Sequence, residues 1–440
     1  MRVLLVAPTA LDSYGRPIKQ RRVHIPGLTL QMLAAVTPPD VDLTLVGETT
    51  GTIPFDEPWD LVGLTGMGSG LVRAWQIAGE FRKRGRKVVI GGIAASLAPP
   101  ALTLAHADSV VIGEAEEIWP RVVRDAQAGR LQPIYRMASQ PDVAHLPDPR
   151  YDLMTGPGFG RWSPVQATRG CPFTCTFCSV TAFFRQGYRK RPVASVLRDV
   201  RAAKRIRRSR YVAFIDDNIG VDWDYCRELW EALIPERIIW MSQCSLHIAD
   251  RPDMLALARR SGCRMLSFGI ETTNAASLAA VDKAWNRPER YAAAVRTIRE
   301  HGIDISTEMM VGLDEDDEST FDGTHAFIMD NRISVPRVHI LTPIPGTPFY
   351  DQVRAEGRIL SEDFTQYSGG RIVFKPRKMD PDRLQMKFWQ MYDRLYSWKA
   401  IAHRVGRNHA RLEAYMSAFV FGVNLHYRAH IQRRITPGIV

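Results

Sequence analysis

Three cysteines fall within eight residues: Cys171, Cys175 and Cys178, in the run Arg169-Gly170-Cys171-Pro172-Phe173-Thr174-Cys175-Thr176-Phe177-Cys178. The C-x3-C-x2-C spacing lets three thiolates on one short loop converge on one metal centre. A structural zinc site takes four protein ligands, so a zinc loop would have to be completed by a distant Cys or His, and the spacing matches neither usual zinc pattern. Three thiolates and an open fourth position suit instead a [4Fe–4S] cluster with one iron free to take a substrate or cofactor. The other cysteines, Cys226, Cys244 and Cys263, are scattered singly, and none precedes Cys171. Six cysteines in 440 residues argue against a disulfide scaffold and for a reducing compartment.

The elements that must position this loop are short strands alternating with helices. The stretch that follows about residue 160 has strand candidates at Val165–Thr168, Tyr211–Ile215, Ile238–Gln243, Met265–Ile270, Ser306–Val311 and Arg337–Leu341. Helical stretches such as Ala194–Arg208 and Arg290–His301 separate them. Six β/α units of this spacing predict a partial or complete parallel barrel, with the cysteine loop directly after its first strand. Before it, Val3–Val6, Leu43–Val46, Leu61–Thr65, Lys87–Ile90 and Ser109–Ile112 read as strands, with helices at Leu28–Val36 and Ala74–Arg84. Short apolar strands that end at Gly or Pro and lead into helices predict a doubly wound parallel sheet. Ligands of such sheets sit beyond the carboxyl ends of the strands, where Gly66-Met67-Gly68-Ser69-Gly70, Gly91-Gly92 and Gly113-Glu114 fall. The expected organisation is a first domain over 1–130, a Pro-rich linker over 131–160, the barrel over 161–375 and a helical, basic region over 376–440.

The cysteine cluster, with aromatic Phe177 before its last cysteine, resembles the signature of the radical S-adenosylmethionine (SAM) superfamily. The resemblance implies that the cysteines hold a [4Fe–4S] cluster, that SAM chelates the fourth iron, and that one electron cleaves SAM to a 5′-deoxyadenosyl radical. Further segments are similar to the family's in order. Phe214-Ile215-Asp216-Asp217-Asn218 ends the second barrel strand, Phe268-Gly269-Ile270-Glu271 the fourth, and Met310-Val311-Gly312-Leu313 the fifth. Thr342-Pro343-Ile344-Pro345-Gly346-Thr347-Pro348 follows the sixth. The resemblance implies SAM contacts from Phe177, Asp216, Asp217, Gly269, Glu271 and Pro343. The chain departs from the family where a Pro-Gly turn would follow Gly312-Leu313; Asp314-Glu315-Asp316-Asp317-Glu318 stands there instead.

The order of domains resembles the cobalamin-binding subfamily, through Val88–Ser96, Val111–Glu116 and Pro149–Leu153, so that the resemblance covers about residues 1–370. It implies a corrin held near Gly66, Gly68, Gly91, Gly92, Ser96, Gly113 and Glu114. The Asp-x-His-x-x-Gly motif that supplies a lower axial histidine in many cobalamin domains is absent, and neither His24 nor His106 has that context. Methylthiotransferases share the layout but bind a second cluster through three cysteines of the first domain, which has none here. The implied activity is methyl transfer to an unactivated carbon of a lipid-like or secondary-metabolite substrate. Ring contraction, cyclisation or oxidation with the same cofactors is the alternative, and a non-catalytic cobalamin or cluster sensor is a third reading. An external electron donor of flavodoxin or ferredoxin type is implied as a partner.

Composition narrows the setting. Hydrophobic residues make up 45% and charged residues 24%, which excludes a disordered or low-complexity chain. No stretch has the ~18 apolar residues of a membrane span, and the amino terminus reads as a first strand rather than a secretory signal, so a cytoplasmic location is expected. The net charge of +11 is uneven: Lys399–Val440 holds seven Lys/Arg against one Glu. A uniformly basic nucleic-acid binder would not show this. Phe388, Trp389, Met391, Tyr392, Leu395, Tyr396, Trp398 and Ile401 recur at helical spacing. They read as a helix packed on the barrel mouth or, with Ala414–Val423 and the basic residues behind it, as a peripheral membrane contact.

Overall fold

The computed structural model describes residues 1–12, 14–154, 156–406 and 413–438. The amino-terminal part runs β1 (Arg2–Ala7), α1 (Thr29–Val36), β2 (Asp42–Gly47), β3 (Leu61–Thr65), α2 (Gly70–Lys83), β4 (Lys87–Gly91), α3 (Ile93–Leu97), α4 (Pro100–Leu104), β5 (Ser109–Ile112), α5 (Trp119–Gln127) and β6 (Ile134–Arg136). Its strands pair in the order β2-β1-β3-β4-β5-β6, all parallel. β5 is buried throughout, as expected of a strand covered on both faces. Leu71, Ala74, Ile77, Ala78 and Phe81 form the buried stripe of α2, which packs on β3 and β4. The strand order reverses between β1 and β3, and that switch opens a crevice beyond their carboxyl ends.

One element lies where the sequence suggested linker. Ile134–Arg136 pairs with Val110–Ile112 and carries the first sheet past residue 130. Three residues are too few for a periodicity to show, and Pro133 ahead of them reads as a breaker.

The second part runs β7 (Ser163–Val165), β8 (Thr168–Gly170), α6 (Ser179–Phe184), β9 (Tyr188–Lys190), α7 (Val193–Arg207), β10 (Tyr211–Phe214), α8 (Trp223–Leu233), β11 (Ile239–Gln243), α9 (Pro252–Arg260), β12 (Cys263–Glu271), α10 (Ala275–Ala280), α11 (Tyr291–Glu300), β13 (Asp304–Val311), α12 (Ser319–Asp330), β14 (Val335–Ile340) and α13 (Pro348–Ala355). Six strands form an open parallel sheet in the order β7-β10-β11-β12-β13-β14, with β7 and β14 at its edges. The strand expected at Val165–Thr168 is split. β7 joins the sheet, whereas β8 turns away and pairs antiparallel with β9.

Among the described residues three helices follow: α14 (Pro381–Leu395), α15 (Trp398–Val405) and α16 (Ala414–Gln432). An edge strand leaves backbone polar groups unpaired, and tyrosines in and just after α14 satisfy several of those of β14, while Gly369 O accepts from Ile340 N. The Tyr392 hydroxyl accepts from Val338 N at 2.7 Å and donates to Val338 O at 2.5 Å. The Tyr396 hydroxyl donates to Pro336 O at 2.5 Å. α16 lies across the amino ends of the strands: Tyr415 stacks on Tyr211 at 4.0 Å, and Asn424 donates to Ser334 O at 3.0 Å. Glu413, just ahead of α16, pairs with Arg264 at 3.0 Å. The tail therefore closes the edge and base of the sheet, not the barrel mouth. Phe388, Met391, Tyr392, Leu395, Tyr396 and Ile401 are buried there, while Trp398 is exposed. Arg407 and Arg411 of the basic tail lie outside the described residues. No described helix is long and apolar enough to cross a membrane.

Candidate active site

The cysteine loop leaves β8 at Gly170, whose φ is +84°; a Cβ there would stand 1.9 Å from Gly187 O, so only glycine fits. The loop is anchored at several points. Thr176 N donates to Val281 O at 3.2 Å, and Thr176 O accepts from Phe349 N at 3.0 Å. Phe173 stacks on Trp285 with ring centroids 4.0 Å apart. Asp216 anchors the approach to the loop: its carboxylate accepts from Ala167 N at 3.2 Å, Thr168 N at 2.5 Å and Thr168 Oγ1 at 2.6 Å. These bonds hold the backbone between β7 and β8, where the chain leaves the sheet. Burial pushes the Asp216 carboxyl up to about 7 against those bonds.

Cys171, Cys175 and Cys178 are free thiols around a cavity of about 180 Å³. Phe177, Asp217, Gly269 and Glu271 line the same cavity, and so do Trp285, Lys283 and Glu308. Glu271 ends β12 at φ +65°, where the register with β13 slips between Gly269 and Glu271. A glutamate held in the left-handed region is a local cost carried at the cavity wall. Its Oε1 lies 2.6 Å from Lys283 Nζ, and both side chains are buried. Burial pulls the Lys283 ammonium down, but Glu271 and Cys175 more than offset it and hold it above its ordinary value. Asp217 accepts from Gly170 N at 3.0 Å, and burial raises its carboxyl.

Burial pushes the Cys175 thiol up to about 12, although Lys283 opposes the shift. An apolar pocket disfavours a free thiolate, and bonding to a metal supplies the missing positive charge. Among the described residues no three His, Cys, Asp or Glu side chains are arranged to hold one metal ion. A [4Fe–4S] cluster does not need that, because each thiolate bonds a different iron. The donor set, with three sulfurs on one loop and a polar wall opposite, fits such a cluster with a small charged molecule on its open iron.

A second cavity, of about 290 Å³, opens at the carboxyl ends of β1, β3, β4 and β5. Gly66, Gly91, Gly92, Gly113 and Glu114 line it, with Leu5, Leu33, Val89, Val111 and Trp119 as an apolar wall. Gly92 has φ +97° and a Cβ there would lie 2.8 Å from Gly66 O, so packing between the two loops already requires glycine. Phe183, Phe184 and Arg169, which flank the cysteine loop on both sides, form the opposite wall. Asp217 lines both cavities. A backbone rim over an apolar wall fits one face of a large flat ligand, and among the described lining residues there is no histidine.

Residues 165–328 match the family model described as the radical SAM superfamily. The chain is 30% identical over 410 residues to the bacteriochlorophyllide d C-12(1)-methyltransferase of Chlorobaculum tepidum, covering 91% of this chain and 89% of that protein. It is 29% identical over 416 residues to the C-8(2)-methyltransferase of the same organism, covering 90% and 91%. The chain belongs to the radical SAM superfamily. Its whole fold is similar to that of the radical SAM methyltransferase TsrM from Kitasatospora setae, with a TM-score of 0.67 at 16% identity over 98% of this chain and 97% of that one.

Membership in the radical SAM superfamily brings a [4Fe–4S] cluster and SAM as cofactors. Of the residues assigned to SAM from the sequence, Phe177, Asp217, Gly269 and Glu271 face the cysteine cavity, whereas Asp216 and Pro343 do not line it. Asp216 spends its oxygens on Ala167 N, Thr168 N and the Thr168 hydroxyl, and Pro343 is buried in its turn. Of those assigned to the first cavity, Gly68 and Ser96 are not in its lining. Ser96 acts behind the wall: its Oγ donates to Gly92 O at 2.9 Å and accepts from Gly113 N at 3.0 Å. The acidic run after β13 also finds its reason. Asp316 is buried and accepts from Gly312 N, Leu313 N and Ser277 Oγ, while Asp314 pairs with Arg358 and Arg377.

Lys283, Trp285 and Glu308 were not singled out from the sequence. Lys283 stands twelve residues after Glu271, and only the short α10 returns it to its partner. Glu308 gave a faint signal as an acid inside an apolar strand. It pairs with Arg337 and lies 3.4 Å from His339 Nε2. Burial raises its carboxyl, but Arg337 and His339 outweigh that and hold it below the usual range.

Proposed function

We propose that this protein is a cobalamin-dependent radical SAM methyltransferase acting on an unactivated carbon. The observation that carries the reading is the wall shared by the two cavities, with Asp217 on both sides of it. Cys171, Cys175 and Cys178 would ligate the cluster. Phe177, Asp217, Gly269 and Glu271 would surround SAM, with Lys283 keeping Glu271 compensated. Gly66, Gly91, Gly92 and Gly113 would face the corrin. When bound, the cluster supplies the electron that turns SAM into a hydrogen-abstracting radical, and the corrin supplies the methyl group. The chain's own task is to hold both cavities within reach of one substrate carbon and to exclude water from the space between.

The relatives named for bacteriochlorophyllide d act on a large, largely apolar macrocycle, which supports a bulky apolar substrate here rather than a small polar one. A low-potential electron carrier of flavodoxin or ferredoxin type would serve as reductant. The test is anaerobic reconstitution with iron, sulfide and hydroxocobalamin, followed by turnover with SAM, reductant and a panel of bacteriochlorophyllides and lipids. A product one methyl group heavier supports the reading. SAM cleavage with a substrate altered but not heavier would replace it with a non-methylating reaction.

A further inference from the structure

Glu114 lines the cavity of the first sheet and is also the centre of a buried ion network that crosses to the cysteine loop. Its Oε2 accepts from Arg169 Nη1 at 2.6 Å and its Oε1 from Arg189 Nη2 at 2.6 Å. Arg169 Nη2 donates to Glu116 Oε1 at 2.5 Å. The side chains of Arg169, Arg189, Glu114 and Glu116 are 7%, 17%, 5% and 11% exposed, so these are two cations and two anions neutralised largely out of water. Arg169 is two residues before Cys171. Its neighbour Gly170 is held from the other side by Asp217. On the first sheet the network continues through Gly113 N and Ser96 Oγ to Gly92 O. An unbroken chain of hydrogen bonds and peptide links thus joins the β4 loop, the β5 loop and the first cysteine.

We propose that Arg169 is a positioning residue that couples occupancy of the first cavity to the cysteine cavity, by locking the Gly113–Glu116 loop to the strand that carries Cys171. The inference rests on the corrin reading given above. A guanidinium fork suits the task, since it bonds two carboxylates at once and fixes their angle as well as their distance. A ligand that orders the Gly92 and Gly113 loops then orders Arg169, and Asp217, which holds Gly170 from the cysteine cavity, favours the same arrangement. The coupling must be reciprocal: SAM on the cluster tightens corrin binding by the factor with which corrin tightens SAM.

The experiment measures hydroxocobalamin affinity of the reconstituted holoenzyme by equilibrium dialysis, with and without SAM. For wild type the two dissociation constants should differ by about fivefold or more. In Arg169→Gln the ratio should fall close to one, whatever the two affinities become. A merely structural role would weaken both affinities and lower the melting temperature while leaving the ratio intact, so that outcome overturns the proposal, as does a wild-type ratio near one. Should Arg169→Gln fail to fold, Glu116→Ala removes one arm of the fork, leaves Glu114 to both arginines, and should lower the ratio in the same direction. Wild type that binds no hydroxocobalamin in either condition overturns the corrin reading itself, a failure distinct from binding without coupling.

Discussion

The two cavities occupy equivalent places, each beyond the carboxyl ends of a parallel sheet, but they are built from different materials. The cysteine cavity is lined by thiols, carboxylates and an ammonium, and several of these are held at a cost: Glu271 sits at φ +65° and Lys283 is buried. The cavity of the first sheet is lined mainly by glycine backbone and apolar side chains, with Glu114, Glu116 and Arg169 paired to one another and Asp217 shared with the cysteine cavity. One site recognises its ligands by donor atoms, the other by shape. Donor-atom recognition fails sharply when one side chain changes. Shape recognition should fail when a side chain is added, and removal of one should matter less.

The largest effect is expected at the thiols. Cys175→Ala deletes a ligand from a rigid loop, so the iron–sulfur absorbance and SAM cleavage should both vanish. Cys226→Ala, in the barrel core, should keep four irons per chain. Iron analysis after anaerobic reconstitution distinguishes the two, and a Cys175→Ala protein with full iron content would remove the basis of the comparison.

Lys283→Met comes next. It leaves Glu271 buried without its cation, and breaking a buried pair in this way costs about 3–5 kcal/mol. The cluster ligands are untouched, so iron should still load while SAM binding drops and the denaturation midpoint falls. Unchanged SAM affinity would show that the Glu271–Lys283 pair stands outside the SAM site.

Gly92→Ala tests the opposite kind of site. A Cβ at φ +97° and 2.8 Å from Gly66 O forces the two loops apart, and a non-glycine residue at φ +97° and ψ 174° alone costs roughly 1–3 kcal/mol. Corrin retention should fall while iron content stays near wild type, and SAM affinity should drop by no more than the coupling factor that bound corrin supplies. Loss of iron together with corrin would mean that the cavities are not separable.

This difference in materials also explains what could be read in the chain. The cysteine spacing, the strand that carries it and the Gly269-Ile270-Glu271 end of β12 are legible because chemistry there needs particular side chains close in sequence. The first cavity is legible only as a place, since glycines at strand ends serve loop packing and ligand approach alike. Lys283 was hidden because its partner lies twelve residues away across a turn, and Glu308 because an acid in an apolar strand shows no partner until β14 is alongside. The aromatic run from Phe388 to Tyr396 was ambiguous for a related reason. Amphipathic spacing says that a face is covered, but not that tyrosine hydroxyls cap the backbone of a neighbouring edge strand.

Asp216 offers the finest division between binding and support. As a SAM ligand its loss would weaken SAM binding and leave stability alone. The geometry predicts the reverse. In Asp216→Asn the amide can accept at one oxygen only, so its nitrogen meets the Ala167 N–H donor to donor, at about 1–3 kcal/mol. The pH dependence has a fixed sign. With a folded-state value of about 7, against about 4 in an unfolded chain, the folded protein holds this proton more tightly. Its stabilising contribution is present below about pH 4 and is lost as pH rises through 7. Wild-type stability should therefore lose this component between about pH 4 and 7, and Asp216→Asn should lack it, so the gap between the two proteins narrows as pH rises. Urea unfolding of both proteins across that range measures the gap. A gap that widens with pH would mean that the ionised carboxylate is the form the fold prefers, and that the three hydrogen bonds from Ala167 and Thr168 outweigh the burial that opposes them.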